Sequence, residues 1–232
     1  MRLDKFLCDC GLGTRSQIKK DIKSGLVTVG GEKALKPERH IDESKDHICY
    51  KGKTCVYEKS LYYMLNKPSG VVSATEDKQE QTVIDLLGQE KRDDLFPVGR
   101  LDKDTEGLLL ITNDGALAHE LTSPSKHVEK EYECHLVYPF DDMQMMQLEQ
   151  GVDIGEKALT KPAVVHILDE KKITLTITEG KYHQVKRMLH AVGNEIVYLK
   201  RLRMGTITLD TELPKGSYRR LTEEETENLR KC

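Results

Sequence analysis

A polar segment leads directly into an apolar run near the middle of the chain: residues 99–115 read GRLDKDTEGLLLITNDG. The short apolar run predicts a buried strand over Gly107–Thr112. Asp102 and Asp104 stand just before this strand, which can therefore hold a carboxylate at the edge of a cleft. The same residues also fit a charged turn without a chemical role, and their spacing alone leaves both interpretations open.

Phosphoryl transfer is another interpretation of this segment, because an Asp-x-Asp pair is compatible with a magnesium site. The chain contains no GxxxxGK[ST] loop, and no GxGxxG motif follows a strand, which argues against phosphoryl transfer. Arg100 precedes Asp102 by two residues and can keep a carboxylate ionised by charge pairing.

Composition excludes several classes of protein. The 232 residues are 38% hydrophobic and 32% charged, which predicts one or two packed domains. No stretch approaches the roughly 20 apolar residues that span a bilayer, and the first ten residues are too charged for a secretory signal. The six cysteines show no CxxC and no metal-ligand spacing. We therefore expect a cytoplasmic protein with reduced thiols and no membrane association.

Charge is distributed unevenly within the total of −3. Residues 1–60 contain 13 Lys and Arg against 9 Asp and Glu, a net charge of +4, which leaves −7 on the remainder. A basic head on an acidic body indicates that the head contacts something anionic, although such an excess also fits a solvated face. We place the domain boundary between residues 58 and 59, giving domains 1–58 and 59–232.

The N-terminal domain is predicted to have two short helices, Arg2–Asp9 and Thr14–Ser24. Strands are predicted at Leu26–Val29 and His47–Tyr50, the first ending in a Gly30-Gly31 turn. Basic residues follow the start of the second helix and share part of one face, namely Arg15, Lys19, Lys20 and Lys23. A basic helix followed by a hairpin-like strand is a compact RNA-binding layout.

The C-terminal domain mixes the two element types without strict alternation, which favours an α+β fold over a doubly wound parallel sheet. The predicted strands are Leu61–Asn66, Gly107–Thr112, Lys130–Val137, Ile173–Thr178, Ile196–Leu199 and Thr206–Leu209. The predicted helices are Thr82–Leu87, Asp114–Thr122, Asp141–Gln150 and Lys181–Val192.

A second candidate segment, residues 179–189, reads EGKYHQVKRML. Helical spacing places its apolar residues on one side, and places on the other His183, Lys186, Arg187 and His190. Six Lys and Arg but two acids lie between residues 179 and 203, so this strip suits a phosphate backbone. The two histidines are an alternative start for a metal site, but no third ligand is evident.

Two shorter segments also contain candidate residues. Alternation in KEYECHL, residues 130–136, places Lys130, Tyr132 and Cys134 on one strand face, where a tyrosine can equally be a core residue. In NKPSG, residues 66–70, Pro68 and Gly70 impose a turn that carries Lys67 at its lip.

These segments together resemble the successive motifs of bacterial RNA pseudouridine synthases. The resemblance rests on LNKPSG at 65–70, GRLDKDTEGLLLITNDG at 99–115, KEYE at 130–133 and EGKYHQVKRML at 179–189. The N-terminal RLDKFL and TRSQIKKDIKSGLVTVGG segments are similar to an S4 RNA-binding domain. TSP at 122–124 and TKPAV at 160–164 bring the chain closest to the small-subunit (16S) ribosomal RNA enzymes, the RsuA type.

The resemblance implies an α+β fold, with a small S4 domain before a catalytic domain built on a mixed, largely antiparallel sheet with flanking helices. It assigns the catalytic carboxylate to Asp102 rather than Asp104. It implies that Tyr132 packs on the target uracil and that Lys186 faces Asp102. We expect RNA contacts from Arg2, Lys5, Arg15, Ser16, Lys19, Lys23, Lys67, Arg100, His183, Gln184 and Arg187.

Isomerisation of uridine needs neither metal nor cofactor, since nothing is oxidised and no group is donated. The implied partner is ribosomal RNA, 16S in a small-subunit assembly intermediate, and we expect the protein to act as a monomer. Two alternatives stay open: a synthase acting on large-subunit ribosomal RNA, and a non-catalytic S4-type RNA-binding or ribosome-assembly factor.

Overall fold

The computed structural model describes residues 1–58 and 60–231, and its contacts divide the chain into two compact units. The first unit contains Met1–Leu61 and Leu87–Leu95, and the second contains Tyr62–Leu86 and the chain from Phe96 onward. The change from the first unit to the second after Leu61 lies close to the expected domain boundary after residue 58. The exact boundary stays a prediction. The return of Leu87–Leu95 to the first unit is not predicted by the sequence pattern.

Two helices and a small antiparallel sheet form the first unit. Its elements are α1 (Leu3–Asp9), α2 (Arg15–Lys23), β1 (Val27–Val29), β2 (Glu32–Lys33), β3 (Ile48–Tyr50) and β4 (Lys53–Thr54). The strand order is β2-β1-β3-β4. The side chain of Thr14 caps α2 by accepting a hydrogen bond from the backbone N–H of Gln17. Both helices pack their apolar sides on β1 and β3 in one buried cluster, so the predicted helices and strands are confirmed.

A nine-stranded sheet is the centre of the second unit. Its strands are β5 (Tyr62–Lys67), β6 (Phe96–Pro97), β7 (Glu106–Thr112), β8 (Lys130–Leu136), β9 (Val164–Asp169), β10 (Lys172–Ile177), β11 (Ile196–Met204), β12 (Ile207–Thr208) and β13 (Tyr218–Arg220). Its helices are α3 (Gly115–Thr122), α4 (Asp142–Gln150), α5 (Gln184–Ala191) and α6 (Glu223–Leu229).

The main path of this sheet runs β13-β5-β7-β11-β8-β10-β9, with β6 beside β7 and β12 beside β11. Among the strand pairs of the described chain, β7 with β11 is parallel and the others are antiparallel. The mixed, largely antiparallel α+β fold is therefore confirmed.

Gly107 allows β7 to approach β11 closely at the start of the parallel pair. Its φ is +97°, and a Cβ atom at this position would lie 2.3 Å from the carbonyl oxygen of Arg201. A side chain here would therefore push the strands apart. The close approach places the loop before β7, which contains Asp102, next to β11.

Two predicted helices differ from the structure. Thr82–Leu87 is not an α-helix: a 3₁₀ segment at Asp85–Glu90 stands there, and it is interrupted at Gly88 with φ 52°. The predicted helix Lys181–Val192 begins later, at Gln184, because His183 has a left-handed backbone with φ 48°.

The sequence pattern also missed several elements, namely β2, β4, β6, β9, β13 and α6. Most of β9 is exposed, so it shows no alternation of apolar residues. A signal for α6 was present, because Thr222 and Glu225 form a capping box. In the described parts of the chain, no helix has both the length and the apolar character required to cross a bilayer.

Candidate active site

One cavity of the second unit lies over the sheet face formed by β8, β10 and β11. Its walls come from the loop 99–105 and from the loop that leads into α5, and it contains about 710 Å³ of empty space, part of which is open solvent. Six polar residues that line it matter below: Arg100, Asp102, Lys130, Tyr132, Lys186 and Arg201. Residues far apart in sequence therefore meet in one place.

Lys67 fixes the backbone of the loop that contains Asp102. Its ammonium donates hydrogen bonds to the carbonyl oxygens of Pro68, Asp102, Lys103 and Thr105 at 2.9–3.2 Å. Burial lowers the pKa of Lys67 to about 8, although Asp104 and Asp102 oppose the shift.

The burial of Lys67 argues against its expected RNA contact. The side chain is 0% exposed, because the last residue of β5 points into the protein and not out from the turn. Lys67 is thus a positioning residue for the Asp102 loop. Ser73 fixes the same loop from another side, since its hydroxyl donates to the carbonyl of Leu101 at 2.9 Å and accepts from its N–H at 3.1 Å.

Lys186 on α5 bridges the two carboxylates of the Asp102 loop. Its Nζ lies 3.1 Å from Oδ2 of Asp102 and 2.6 Å from Oδ1 of Asp104. Burial alone would lower the pKa of Lys186, but hydrogen bonds to Asp104 and Asp102 hold the pKa above its ordinary value. The hydrogen bond from Lys186 in turn lowers the pKa of Asp104.

The two carboxylates differ in their access to the cavity. The side chain of Asp102 is 27% exposed and lines the cavity, whereas that of Asp104 is 70% exposed. His183 adds a second basic group near Asp102, with 3.5 Å between Nε2 and Oδ1. Of the two acids, Asp102 is the one placed to meet a molecule in the cavity.

Tyr132 lies on the floor of the cavity. It is buried on β8, where its Cα partners are Arg201 of β11 and Leu175 of β10. Its hydroxyl makes no hydrogen bond to the described residues. The ring of Tyr132 therefore presents an apolar surface to the cavity, and its hydroxyl is available to hydrogen-bond a molecule bound there.

Gln184 and Arg187 stabilise the fold around α5, which argues against the RNA contacts expected of them. Gln184 is buried and donates a hydrogen bond to Glu179 at 2.7 Å. Arg187 donates to the carboxylate of Glu156 and to the carbonyl oxygens of Tyr182 and Ile154. The guanidinium is therefore already occupied within the protein.

Carboxylates from distant segments neutralise much of the predicted basic strip. Arg203 pairs with Glu129 and Glu131 at 2.9 and 3.0 Å, and Lys181 lies 3.5 Å from Glu179. The strip appeared uncompensated in sequence because most of these acids precede it by many residues. The unpaired basic surface of this strip is consequently smaller than the sequence predicts.

Arg100 lines the mouth of the cavity, and Tyr182 lines an adjoining pocket that shares Arg100, Asp102 and His183 with it. Arg100 is exposed and forms no ion pair or hydrogen bond with the described residues. The ring of Tyr182 is 69% exposed and stacks on His183 with 3.8 Å between centroids. Sequence reasoning missed Tyr182, although an aromatic residue beside a glycine-containing loop was a usable signal.

The expected RNA-binding residues of the first unit fall into two groups. Arg2 and Lys5 are engaged within α1, by Asp4 and Asp9 respectively, at 2.8 Å. The others are exposed on α2 without an ion pair to the described residues, namely Arg15, Ser16, Lys19 and Lys23. The second group is the stronger candidate for phosphate contacts.

No cluster of three or more His, Cys, Asp or Glu that could hold a metal occurs in residues 1–58 and 60–231. The cavity offers a carboxylate, a cation paired with it and an aromatic ring. Such a carboxylate can act as a nucleophile or as a base.

Family models match both units. A model described as RNA pseudouridylate synthase matches residues 61–191, and an S4 domain model matches residues 1–48. A solved crystal structure of a pseudouridylate synthase shares 40% sequence identity with a TM-score of 0.71, covering 99% of each chain.

Curated relatives match over nearly the full length. An uncharacterized RNA pseudouridine synthase of Bacillus subtilis is 51% identical, covering 97% of this chain and 96% of the relative. Ribosomal small subunit pseudouridine synthase A of Escherichia coli K12 is 43% identical, covering 97% and 98%. The enzyme of the same name from Vibrio cholerae is 43% identical and covers 99% of each.

Proposed function

This chain belongs to the RNA pseudouridine synthase family, and on that premise we propose that it isomerises one specific uridine of 16S ribosomal RNA, with Asp102 as the catalytic carboxylate. The observation that carries the assignment is the Lys186–Asp102 ion pair at 3.1 Å in a cavity whose floor contains Tyr132. Two relatives are named as ribosomal small subunit pseudouridine synthases, which supports 16S RNA as the substrate.

The isomerisation requires few groups. The N1–C1′ bond breaks, the base rotates, C5 joins C1′, and the proton of C5 is lost while N1 gains one. Asp102 starts this sequence as an ionised group, by attack on the sugar, by attack on the base or by removal of a sugar proton. Lys186 places a positive charge 3.1 Å from this carboxylate.

Many glycoside hydrolases use two carboxylates, one to activate water and one to protonate the leaving group. Here the detached base is retained and reattached, so one carboxylate suffices. This difference agrees with the placement of Asp102 in the cavity and of Asp104 near the surface.

A uridine inside folded RNA must leave its stack to reach Asp102. Tyr132 would pack against the extruded uracil, and base–aromatic stacking contributes about 1–3 kcal/mol. Arg100, Tyr182 and His183, at the mouth and in the adjoining pocket, would contact the flanking nucleotides. The exposed basic residues of α2 would contact phosphates elsewhere on the RNA.

We place this reaction in the cytoplasm, on an assembly intermediate of the small subunit, with the protein acting as a monomer. The test is chemical mapping of pseudouridine in both ribosomal RNAs from a strain that lacks the gene. We expect one position in 16S RNA to lose its pseudouridine, and the wild-type gene, but not the Asp102→Asn gene, to restore it.

Other outcomes of the mapping would contradict the proposal. A loss confined to large-subunit RNA would overturn the choice of substrate. Unchanged modification in both RNAs, with no tritium release from C5-labelled RNA by the purified protein, would favour the non-catalytic factor.

A further inference from the structure

Two cations are buried in the floor of the cavity without a carboxylate partner among residues 1–58 and 60–231. Lys130 is 9% exposed and Arg201 is 2% exposed. The ammonium of Lys130 donates one hydrogen bond within the described chain, to the carbonyl of Val128 at 2.8 Å. Nε of Arg201 donates to the carbonyl of Leu108 at 2.7 Å, whereas its Nη2 is buried with no partner.

Such a pair is unfavourable for the empty protein. Burial of a charge without a counter-charge costs free energy, and two neighbouring cations also repel each other. Burial lowers the pKa of Lys130 to about 8, and Arg201 adds to the shift. Perturbed buried groups in a cleft are a feature of functional sites, which indicates that the occupant of the cavity supplies the missing negative charge.

The register of the strands places these cations beside Tyr132. Tyr132 and Arg201 are Cα partners across β8 and β11, and Lys130 is two residues from Tyr132 on the same face. All three line the cavity that contains Asp102. A base packed against the Tyr132 ring would therefore have its edge within reach of Lys130.

We propose that Lys130, assisted by Arg201, binds the carbonyl oxygens of the target uracil and stabilises the negative charge that develops on the base during cleavage of its bond to C1′. This role rests on the proposed function of the cavity. It concerns residues that neither the motif assignments nor the ion pair with Lys186 explain.

The electron count of the reaction requires such a group. When the N1–C1′ bond breaks, its electron pair leaves with the base, and the charge spreads onto O2 and O4. Lys130 remains an ammonium throughout and donates hydrogen bonds without giving up a proton. When C5 later supplies an electron pair to C1′, the charge on the base disappears. The C5 proton then passes to water, and N1 takes up a proton from water. Donors preorganised at developing charge are a strong catalytic device.

The test varies how much stabilisation the anionic leaving base requires from the protein. Single-turnover loss of the target nucleotide is measured for wild type and Lys130→Met, on RNA with uridine or with 5-fluorouridine at the target position. Fluorine withdraws electrons, so the fluorinated base is the more stable anion. We expect Lys130→Met to slow the reaction of uridine by about 100-fold, and that of 5-fluorouridine by a clearly smaller factor.

Control variants separate this role from structural effects. Lys172 lies on the neighbouring β10 but pairs with Glu133 at 3.1 Å, on the opposite face, so Lys172→Met should leave both rates near wild type. If Lys130→Met does not fold, Lys130→Gln replaces it in the same comparison. Equal slowing of both RNAs, or a wild-type rate on uridine, would overturn the proposal.

Asp102→Asn is measured in the same assay, so that failure of the Lys130 role can be distinguished from failure of the proposed function. If Asp102→Asn is inactive while Lys130→Met slows both RNAs equally, only the role of Lys130 fails. If Asp102→Asn is active, the proposed placement of the reaction in this cavity fails as well.

Discussion

The ammonium of Lys186 lies 3.1 Å from Oδ2 of Asp102, although 83 residues separate these side chains in sequence. The same ammonium contacts Asp104 at 2.6 Å, so one cation is shared by two acids. Burial of Lys186 beside Asp102 makes this pair less screened than a surface ion pair. The pair is therefore the basis of our first prediction.

Lys186→Met should slow isomerisation by about 100-fold, because the carboxylate of Asp102 loses its charge partner. Lys186→Arg retains a cation beside Asp102 and should keep a larger part of the single-turnover rate. A wild-type single-turnover rate in Lys186→Met would remove the ion pair from the mechanism.

Lys67→Met should destabilise the catalytic unit, because four backbone carbonyls lose a common buried donor. We expect the free energy of unfolding in urea to fall by about 1–3 kcal/mol, together with a loss of kcat as the Asp102 loop loosens. The matched control is Lys103→Met in the same loop. Lys103 pairs with Glu80 at the surface, so its loss should change stability by less than about 0.5 kcal/mol.

Equal stability of the Lys67→Met and Lys103→Met variants would contradict this positioning role. Weaker RNA binding by Lys67→Met, with unchanged stability, would instead restore the sequence-based expectation of an RNA contact.

The alkaline limb of the pH–rate profile should report Lys130. Burial lowers the pKa of Lys130 from 10.5 to about 8, so the cation is present below pH 8 and is lost above it. A reaction that needs the cation should therefore slow as pH rises through about 8. The charged groups around the same cavity are Arg100, Asp102, Lys181, His183, Lys186 and Arg201.

Lys130→Arg separates Lys130 from these neighbours and from Lys67, because a guanidinium stays protonated in this range. We expect this variant to keep part of its activity and to extend the alkaline limb toward higher pH. An alkaline limb identical to that of wild type would assign it to another group.

Charge reversal on α2 should reduce the salt dependence of RNA binding. Arg15 and Lys19 are exposed without ion pairs among the described residues. Log K for RNA binding falls as log salt rises, and removal of two phosphate contacts should make this negative slope shallower by roughly 1.5. Arg15→Glu with Lys19→Glu is compared with Lys36→Glu and Lys45→Glu, which reverse two exposed charges of the same unit outside this helix. Equal slopes in the two double variants would indicate that α2 does not contact phosphate.

Periodicity predicted most of the sheet and the inward face of β8 correctly. Each of these strands has an apolar face or an apolar run, and burial of that surface determines the register. The pattern failed where burial does not decide the structure, as in the exposed edge strand β9 and the irregular segment around Gly88.

The site was predictable to a smaller extent, because the roles of polar residues depend on partners that are distant in sequence. Lys67 follows an apolar strand at a proline turn, which usually means exposure, and only the fold shows the four carbonyls around its ammonium. Arg187 stood among basic residues, and only the fold brings Glu156 to it. Lys130 begins the KEYE segment at 130–133, but the resemblance assigned a role only to Tyr132 there, and Arg201 stood among other basic residues.

The single-turnover rate of pseudouridine formation by Asp102→Asn, beside Asp104→Asn, tests the central claim most directly. The amide in Asp102→Asn keeps the shape of the side chain but is neither a competent nucleophile nor a base. The account predicts no detectable product with Asp102→Asn, unchanged RNA binding and thermal unfolding, and substantial activity with Asp104→Asn. Activity in the Asp102→Asn variant, or equal loss in both variants, would contradict the account.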